Sequence, residues 1–287
     1  MKPAWLKAKI PSGKSYHDLK SLLRESGLHT VCEEAMCPNI GECWAKKSAT
    51  VMILGDTCTR SCGFCAVKTG KPLKTDLEEP FRVSEALSKL PLKHVVITSV
   101  DRDDLPDGGS ALFAQTILEV RKKNPKMVLE VLIPDFKGQL EDLKRVFDAT
   151  PDILNHNLET VKRLQKEVRP QAAYERSLFV LDQARRAGLV NKSGIMVGLG
   201  ETWDEIVQTL QDLRDHAQCQ MLTVGQYLAP TSKHLPVQRY YPPEEFDQIR
   251  DFALEIGFER VASGPFVRSS YFAEEQYNLP PLSKTVA

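Results

Sequence analysis

Residues 193–216 read SGIMVGLGETWDEIVQTLQDLRDH, and this stretch shows the unit from which the chain is built. Its first part is a short apolar run that ends in glycines, as a buried strand of a parallel sheet does. Its second part places Ile206, Leu210 and Leu213 on one face of a predicted helix. The stretch therefore predicts a strand followed by a helix, the repeating unit of a parallel α/β fold.

The same unit recurs along the chain. The apolar runs of strand length are 50–56, 94–100, 127–133, 152–158, 193–200 and 221–228. The amphipathic stretches of helix length are 83–90, 109–123, 138–149, 174–187, 203–216 and 243–256. Six strand–helix units are too few for a closed eight-fold barrel. We expect an α/β fold, a partial and open (β/α)6 barrel, with a doubly wound sheet as the alternative.

The two ends of the chain lie outside this pattern. We expect an N-terminal extension over 1–48, the barrel over 49–256 and a C-terminal segment over 257–287. Chemistry in parallel α/β folds gathers at the carboxyl ends of the strands. Polar or turn-rich segments follow all six predicted strands, so we expect the functional site at that edge.

The composition bears on partners and location. The 38 Lys and Arg residues balance 38 Asp and Glu residues, so no overall basic charge indicates a nucleic-acid or membrane-surface partner. No apolar run approaches the ~20 residues that span a bilayer, and the N-terminus has no apolar signal region. We therefore expect a cytoplasmic protein. In a reducing compartment, clustered thiols bind metal or do redox chemistry more often than they form structural disulfides.

Six of the seven cysteines fall into two groups close together in the sequence. Cys58, Cys62 and Cys65 follow the first predicted strand with the spacing C-x3-C-x2-C. A zinc site usually has four ligands, whereas three thiolates can hold three irons of a [4Fe–4S] cluster and leave the fourth open. Gly63 permits a tight loop, and Phe64 supplies one wall of an apolar pocket. A zinc loop and a closed electron-transfer cluster are the alternatives.

In this spacing and position the chain resembles the radical S-adenosylmethionine (SAM) enzymes. The resemblance implies that the amino and carboxylate groups of SAM bind the open iron. It also implies reductive cleavage of SAM to a 5′-deoxyadenosyl radical that abstracts hydrogen from an unactivated carbon. The cofactor supplies the radical, while the protein orients it and excludes competing reactions.

Cys32, Cys37 and Cys43 form the second group, with the spacing C-x4-C-x5-C. Pro38 and Gly41 make turns that could bring the three thiolates round one centre. Beside the radical SAM motif, this group resembles the lipoyl synthase family. The other blocks that resemble this family are RDDLPDGG (102–109), EVLIPDF (130–136), NHNLETV (155–161), KSGIMVGLGET (192–202), HLPVQRYYPPEEF (234–246) and GPFVRSSY (264–271).

This second resemblance implies an auxiliary [4Fe–4S] cluster at Cys32, Cys37 and Cys43. Its fourth ligand would be a serine of the RSSY motif, Ser269 or Ser270, and we expect Ser270. A serine oxygen is a weak partner for iron, which suits a cluster that is dismantled as the sulfur source. The C-terminal segment would then close over this cluster. For the motif alone, a turn with capping hydroxyls is the alternative.

The predicted contacts to SAM follow the strands. Asn157 and Glu159 alternate with Leu158, so they lie on one face of a strand end, and the resemblance implies that they hold the ribose hydroxyls. An acidic residue after the second strand would bind the methionine amino group, while an arginine could pair with the carboxylate or form a surface salt bridge. A glycine could approach the adenine closely or make a tight turn. The predicted cofactor-binding residues are Phe64, Ser99, Asp101, Asp103, Asn157, Glu159, Arg169 and Gly198.

The implied activity is the insertion of two sulfur atoms at C6 and C8 of a protein-bound octanoyl chain. Such a sulfurtransferase would use two [4Fe–4S] clusters and SAM. Its implied partners are octanoylated lipoyl carrier domains (glycine-cleavage H protein or 2-oxoacid dehydrogenase E2), a low-potential electron donor such as ferredoxin or flavodoxin, and iron–sulfur assembly factors. Another radical SAM enzyme with an electron-transfer cluster and a non-enzymatic iron–sulfur carrier are the alternatives.

Overall fold

The computed structural model describes residues 3–7, 14–45, 50–90, 92–271 and 273–278. The strands are β1 (His29–Thr30), β2 (Thr50–Ile53), β3 (Thr57–Cys58), β4 (Lys68–Thr69), β5 (His94–Ser99), β6 (Val128–Leu132), β7 (Ile153–Asn155), β8 (Val190–Val197), β9 (Met221–Gln226) and β10 (Arg260–Gly264).

One sheet runs through the molecule in the order β1-β2-β5-β6-β7-β8-β9-β10. The strands from β2 to β10 in this sheet are parallel to their neighbours, and β1 pairs antiparallel with β2. Within the described residues β1 and β10 do not pair, so the barrel is open between them. The six predicted strands are β2 and β5 to β9. The predicted α/β fold with a partial, open barrel is confirmed.

Helices connect successive strands. They are α1 (Lys14–Glu25), α2 (Val31–Glu34), α3 (Ile40–Ala45), α4 (Glu79–Ser88), α5 (Ser110–Lys123), α6 (Leu140–Asp148), α7 (Gln165–Val168), α8 (Tyr174–Arg186), α9 (Trp203–Ala217), α10 (Pro243–Glu255) and α11 (Ala273–Asn278). The six predicted helices correspond to α4, α5, α6, α8, α9 and α10. Helix α4 begins four residues earlier than predicted, because Pro80 fits the first turn, where a helix needs no backbone N–H. None of the helices in the described part of the chain is long and apolar enough to cross a membrane.

The segment predicted as a C-terminal extension contributes a strand to the sheet. Strand β10 is parallel to β9, and every residue in it is only half-buried. The sequence RVASG contains no apolar run, which is why periodicity did not reveal it. Helix α11 then contacts both β10 and β5, strands that are not neighbours in the sheet.

A layer of buried polar side chains crosses the barrel interior. Lys192 Nζ lies 2.9 Å from Glu130 Oε1, and both side chains are fully buried. Asn155 Nδ2 donates to the same oxygen at 3.1 Å, and His94 Nε2 lies 3.3 Å from the second Glu130 oxygen. Burial raises the pKa of Glu130, but the Lys192 charge outweighs it and holds that pKa at about 2. The carboxylate therefore stays ionised inside the barrel.

Candidate functional site: a cavity between two cysteine groups

A cavity of about 450 Å³ opens at the carboxyl ends of the strands. Both cysteine groups reach it: Cys32 and Cys37 line it from the N-terminal segment, and Cys58, Cys62 and Cys65 line it from the loop after β2. Cys43 does not line the cavity and is buried beside it in the apolar core. None of the six forms a disulfide within the part of the chain that the structure describes. The structure thus brings the two predicted sites to one space, although β2 separates them in the sequence.

Backbone contacts hold the loop that carries Cys58, Cys62 and Cys65. The N–H groups of Arg60 and Asp101 donate to Cys58 Sγ at 3.4 and 3.3 Å, as donors to a metal-bound thiolate do. The Gly63 N–H donates to Val168 O at 2.9 Å. A Cβ at Gly63 would lie 2.9 Å from the Leu235 side chain, so glycine allows the close approach expected from the sequence.

Arg60 ties this loop to the two following strands. Its guanidinium bonds Asp103 through two nitrogens, at 2.7 and 2.9 Å, and Asp135 at 2.7 Å. Its Nε also lies 3.3 Å from Asp101 Oδ1. These carboxylates hold the pKa of Arg60 above its usual range, and Arg60 in turn holds that of Asp135 low. Asp103 therefore anchors the loop and does not line the cavity, whereas Asp101 lines it.

Several predicted SAM contacts meet on one wall. Asn157 Nδ2 donates to Glu159 Oε1 at 3.0 Å, and Leu158 points away into the core. Burial raises the pKa of the Glu159 carboxyl, while the nearby Arg169 lowers it. Asn157 Oδ1 and Ser99 Oγ are buried and have no hydrogen-bond partner in the part of the chain that the structure describes. Buried polar atoms are rarely left unpaired, so these two indicate a polar ligand.

Arg169 lies on the same wall and is held by oxygen acceptors. Its Nη1 donates to Asn157 O at 2.9 Å, to Leu158 O at 3.3 Å and to Ser177 Oγ at 3.4 Å. His156 bonds the same serine at 3.0 Å. Burial and the Arg169 charge lower the pKa of His156 to about 4, so the ring is neutral. Neither His156 nor Ser177 was predicted as a site residue, although the histidine stands in the NHNLETV block (155–161).

Gly198 lies apart from this wall and does not line the cavity. Its φ is +105°, which favours glycine, and a Cβ there would lie 2.1 Å from Gln226 Nε2. Its N–H donates to Glu201 Oε1 at 2.5 Å. These contacts match the tight strand-to-helix turn that the sequence offered as the alternative to an adenine contact. Phe64, in contrast, lines the cavity as expected.

The C-terminal turn packs onto the segment that carries Cys32, Cys37 and Cys43. Asn39 Nδ2 donates to Phe266 O at 2.6 Å, and Tyr271 Oη donates to Glu42 Oε2 at 3.3 Å. Between these two contacts, Ser269 and Ser270 both line the cavity. The RSSY motif therefore faces the same space as Cys32 and Cys37 despite lying at the other end of the chain.

Burial favours the protonated form of these thiols, so metal binding would be coupled to the release of protons. Burial raises the pKa of Cys32 to about 11 and that of Cys62 to about 12. Burial also raises the pKa of Cys37, against the lowering effect of the Arg268 charge. Metal binds thiolates, so loading would release protons. No three His, Cys, Asp or Glu side chains among the described residues converge as ligands of a single ion, whereas thiolates of a [4Fe–4S] cluster each bind a different iron.

Sequence comparison covers nearly the whole chain. Residues 52–213 match the Radical SAM superfamily, and residues 1–37 match the N-terminal domain of lipoyl synthase of the Radical SAM family. The lipoyl synthase of Rubrobacter xylanophilus is 57% identical, over 96% of this chain and 86% of the relative. That of Halalkalibacterium halodurans is 54% identical, over 96% of this chain and 92% of the relative.

Solved structures share the fold at low identity. HydG, the FeFe-hydrogenase maturase of Carboxydothermus hydrogenoformans, aligns with a TM-score of 0.58 and 13% identity over 85% of this chain and 65% of its own. Streptococcus suis SuiB bound to S-adenosylmethionine aligns with a TM-score of 0.55 and 11% identity over 76% of this chain and 50% of its own. Methylornithine synthase (PylB) aligns with a TM-score of 0.51 and 15% identity over 92% of this chain and 87% of its own.

These structural neighbours support the radical SAM fold and nothing finer. The sequence relatives reach further, because more than half of the aligned positions are identical along almost the entire chain. Radical SAM enzymes use SAM and a [4Fe–4S] cluster, which agrees with the cysteine loop after β2. On this evidence the chain belongs to the lipoyl synthase family of radical SAM sulfurtransferases.

Proposed function

We propose that this protein inserts sulfur at C6 and C8 of an octanoyl chain on a carrier domain and takes the sulfur from its own auxiliary cluster. One observation supports this most directly: both cysteine groups and the two serines of RSSY face the same cavity. A substrate carbon in that cavity would lie within reach of both the radical source and a sulfur source. An enzyme with a remote electron-transfer cluster needs no such arrangement.

Cys58, Cys62 and Cys65 would hold the radical SAM cluster. Its chemistry when bound is the one-electron cleavage of SAM. The chain shapes the loop for this role: backbone N–H groups face Cys58 Sγ, and Arg60 fixes the loop to the next strands. Phe64 supplies an apolar wall that keeps water from the reacting atoms.

The wall formed by Ser99, Asp101, Asn157, Glu159 and Arg169 would bind SAM. Glu159 and the unpaired Asn157 Oδ1 suit a ribose diol, since they offer three acceptor oxygens. Ser99 and Asp101 suit the methionine amino group. The guanidinium of Arg169 uses Nη1 for protein oxygens, which leaves its other nitrogens for the carboxylate.

Cys32, Cys37 and Cys43, with Ser270, would hold the auxiliary cluster. Apolar side chains near this group would receive the octanoyl chain, among them Val31 and Met36. Met36 is 60% exposed although it lines the cavity, so it marks the mouth through which a carrier-bound chain would enter.

The domain limits 1–48, 49–256 and 257–287 remain predictions.

The partners are proposed on the chemistry of the reaction. The octanoyl chain would arrive as an amide on a carrier lysine, from glycine-cleavage H protein or a 2-oxoacid dehydrogenase E2. A ferredoxin or flavodoxin would supply electrons, and iron–sulfur assembly factors would rebuild the auxiliary cluster. We propose a cytoplasmic location, where such donors are found.

The test uses anaerobic protein with both clusters reconstituted and a low-potential reductant. SAM and an octanoyl-lysine peptide are added, and 5′-deoxyadenosine is followed together with peptide mass. Cys37→Ala should still form 5′-deoxyadenosine but add no sulfur, while Cys58→Ala should form neither product. Cys219→Ala is the matched control, since Cys219 is a fully buried thiol that does not line the cavity.

The outcomes separate the three functions. A mass gain of two sulfur atoms, lost in Cys37→Ala, supports lipoyl synthesis with the auxiliary cluster as donor. 5′-Deoxyadenosine without sulfur gain would leave a radical SAM enzyme of another substrate. Absence of 5′-deoxyadenosine from fully loaded wild-type protein would contradict the enzyme itself and favour an iron–sulfur carrier.

A further inference from the structure

Arg268 is a cation on the cavity wall with an unusual lack of partners. Its Nη1 donates to Val267 O at 2.6 Å, and it forms no ion pair with the described residues. The other two arginines of the cavity differ from it. Arg60 is neutralised by carboxylates, and Arg169 donates to three protein oxygens. The remaining donors of Arg268 are therefore free for a ligand in the cavity.

The backbone holds Arg268 in this position. The Val267 N–H donates to Gly264 O at 3.1 Å, and the Tyr271 N–H donates to Arg268 O at 2.9 Å. Gly225 of β9 leaves the space for this turn, because a Cβ there would lie 2.0 Å from Val267 O and 3.0 Å from Arg268 Nη1. The guanidinium is thus packed against the sheet, unlike an unconstrained surface side chain.

The charge of Arg268 reaches both halves of the cavity. Arg268 lines the cavity together with Cys37 and with Glu159 of the proposed SAM wall, and its positive charge acts to lower the pKa of both groups. Removing a guanidinium from water without a counter-ion is unfavourable. Such a group facing a cavity indicates an anionic ligand. An iron–sulfur cluster with thiolate ligands is anionic, and Cys37 lines the cavity together with Arg268.

We propose that Arg268 is a positioning residue that stabilises the negative charge of the auxiliary cluster and thereby raises its reduction potential. The inference rests on the proposed function, which places that cluster at Cys32, Cys37 and Cys43. Hydrogen bonds to cluster sulfur and nearby positive charge favour the more reduced, more negative state. If a carbon radical bonded to a cluster sulfide, the radical and the sulfide would each supply one electron of the new bond, and one electron would pass to the cluster iron; a higher potential would favour that transfer.

The experiment isolates the auxiliary cluster in the full-length chain. Cys58, Cys62 and Cys65 are all changed to alanine, and this parent is compared with Arg268→Lys and Arg268→Met in the same background. Iron and sulfide content are measured first, and the midpoint potential then follows from an EPR-monitored redox titration. Arg250→Met is the matched control, because Arg250 is a half-exposed cation of α10 paired with Asp247.

We expect full cluster content and a lower midpoint potential in Arg268→Met, with Arg268→Lys and Arg250→Met close to the parent. If Arg268→Met loses the cluster while Arg268→Lys keeps it, the charge is again the cause and the proposal stands. An unchanged potential in fully loaded Arg268→Met, an equal shift in both variants, or cluster loss in both would overturn it. A parent that binds no cluster would overturn the proposed function and this inference with it.

Discussion

At the scale of single residues, the hydrogen bonds of His156 fix its protonation and orient Arg169. Its Nδ1 lies 2.8 Å from the carbonyl of Ile133, which can only accept, so Nδ1 carries the proton. Its Nε2 then accepts from the Ser177 hydroxyl at 3.0 Å, and the Ser177 oxygen accepts from Arg169 at 3.4 Å. The chain of donors runs one way, from the guanidinium to the backbone.

This chain predicts an effect of Ser177→Ala on SAM binding. The variant removes an acceptor of Arg169 and leaves His156 Nε2 unpaired. We expect the Kd for SAM to rise about fivefold, or ~1 kcal/mol for one hydrogen bond. Equilibrium dialysis on cluster-loaded protein measures it. Ser84→Ala is the control, since Ser84 is equally buried but lies on α4, away from the cavity. Equal Kd values for the two variants would contradict the orienting role.

The RSSY serines allow a second prediction at this scale. Ser269 and Ser270 both line the cavity, so geometry does not choose between them. We expect Ser270→Ala to abolish sulfur insertion while 5′-deoxyadenosine still forms, because the fourth iron loses its ligand. Ser269→Ala should retain at least half of the insertion. Mass spectrometry of the octanoyl peptide compares the two, and the reverse order would assign the ligand to Ser269.

At the scale of elements, α11 connects the cavity to the opposite end of the barrel. The Tyr277 ring lies 6.0 Å from the His94 ring and 5.5 Å from the Arg260 guanidinium, measured between centres. Gln276 Nε2 donates to Tyr271 O at 2.6 Å. The helix therefore holds the end of the RSSY turn while its own tyrosine packs at the starts of β5 and β10.

Tyr277→Ala should loosen this connection. Loss of the half-buried ring is expected to lower the free energy of unfolding by about 2 kcal/mol. Auxiliary iron should fall as well, because the turn that carries Ser270 loses its support. Tyr277→Phe keeps the ring and should behave as wild type. Urea unfolding and iron analysis test both variants, and equal loss in the two would assign the effect to the hydroxyl instead of the ring.

The sequence predicted those features of the fold and the site that are encoded by residues close together along the chain. Parallel strands buried on both faces read as apolar runs, so β2 and β5 to β9 were predictable. Strand β10, with the sequence RVASG, is half-buried along its length and has no such run. Cysteine spacing predicted the two groups of cluster ligands, which remain a proposal. The hydrogen bond from Arg60 to Asp135 had no such signal, because it joins residues 75 positions apart. Contacts of this kind depend on the folded barrel, and no local pattern encodes them.

At the scale of the whole molecule, the buried groups with lowered pKa values contribute to stability in acid, and His156 and Glu130 are two of them. The pKa of His156 is lowered from 6.5 to about 4 by burial, so the unfolded chain binds this proton first as pH falls. Stability should therefore fall between about pH 6.5 and pH 4, by roughly 3 kcal/mol for this residue. Urea unfolding across this range measures it. His156→Gln should flatten the slope, and an unchanged slope would contradict the assignment. Glu130 should lower the stability further at more acidic pH, between about pH 4.5 and pH 2, because the unfolded chain protonates this carboxylate first.

The buried pair of Glu130 and Lys192 lies directly beneath the cavity floor. Leu132 lies two residues after Glu130 on β6, and Gly194 lies two residues after Lys192 on β8. Both line the cavity, and positions two apart on a strand face the same way. The pair also joins β6 to β8 across β7, so it links strands that do not share backbone hydrogen bonds. Its loss should affect the barrel as a whole.

Removing one partner should cost more than removing both. Glu130→Gln leaves the Lys192 charge buried and unpaired, which typically costs about 3–5 kcal/mol. The double variant Glu130→Gln with Lys192→Met removes that charge and should recover most of the loss. Urea unfolding of the two single variants and the double variant gives the coupling energy between them. Additive losses would show that the two charges act independently and would contradict the stabilising pair.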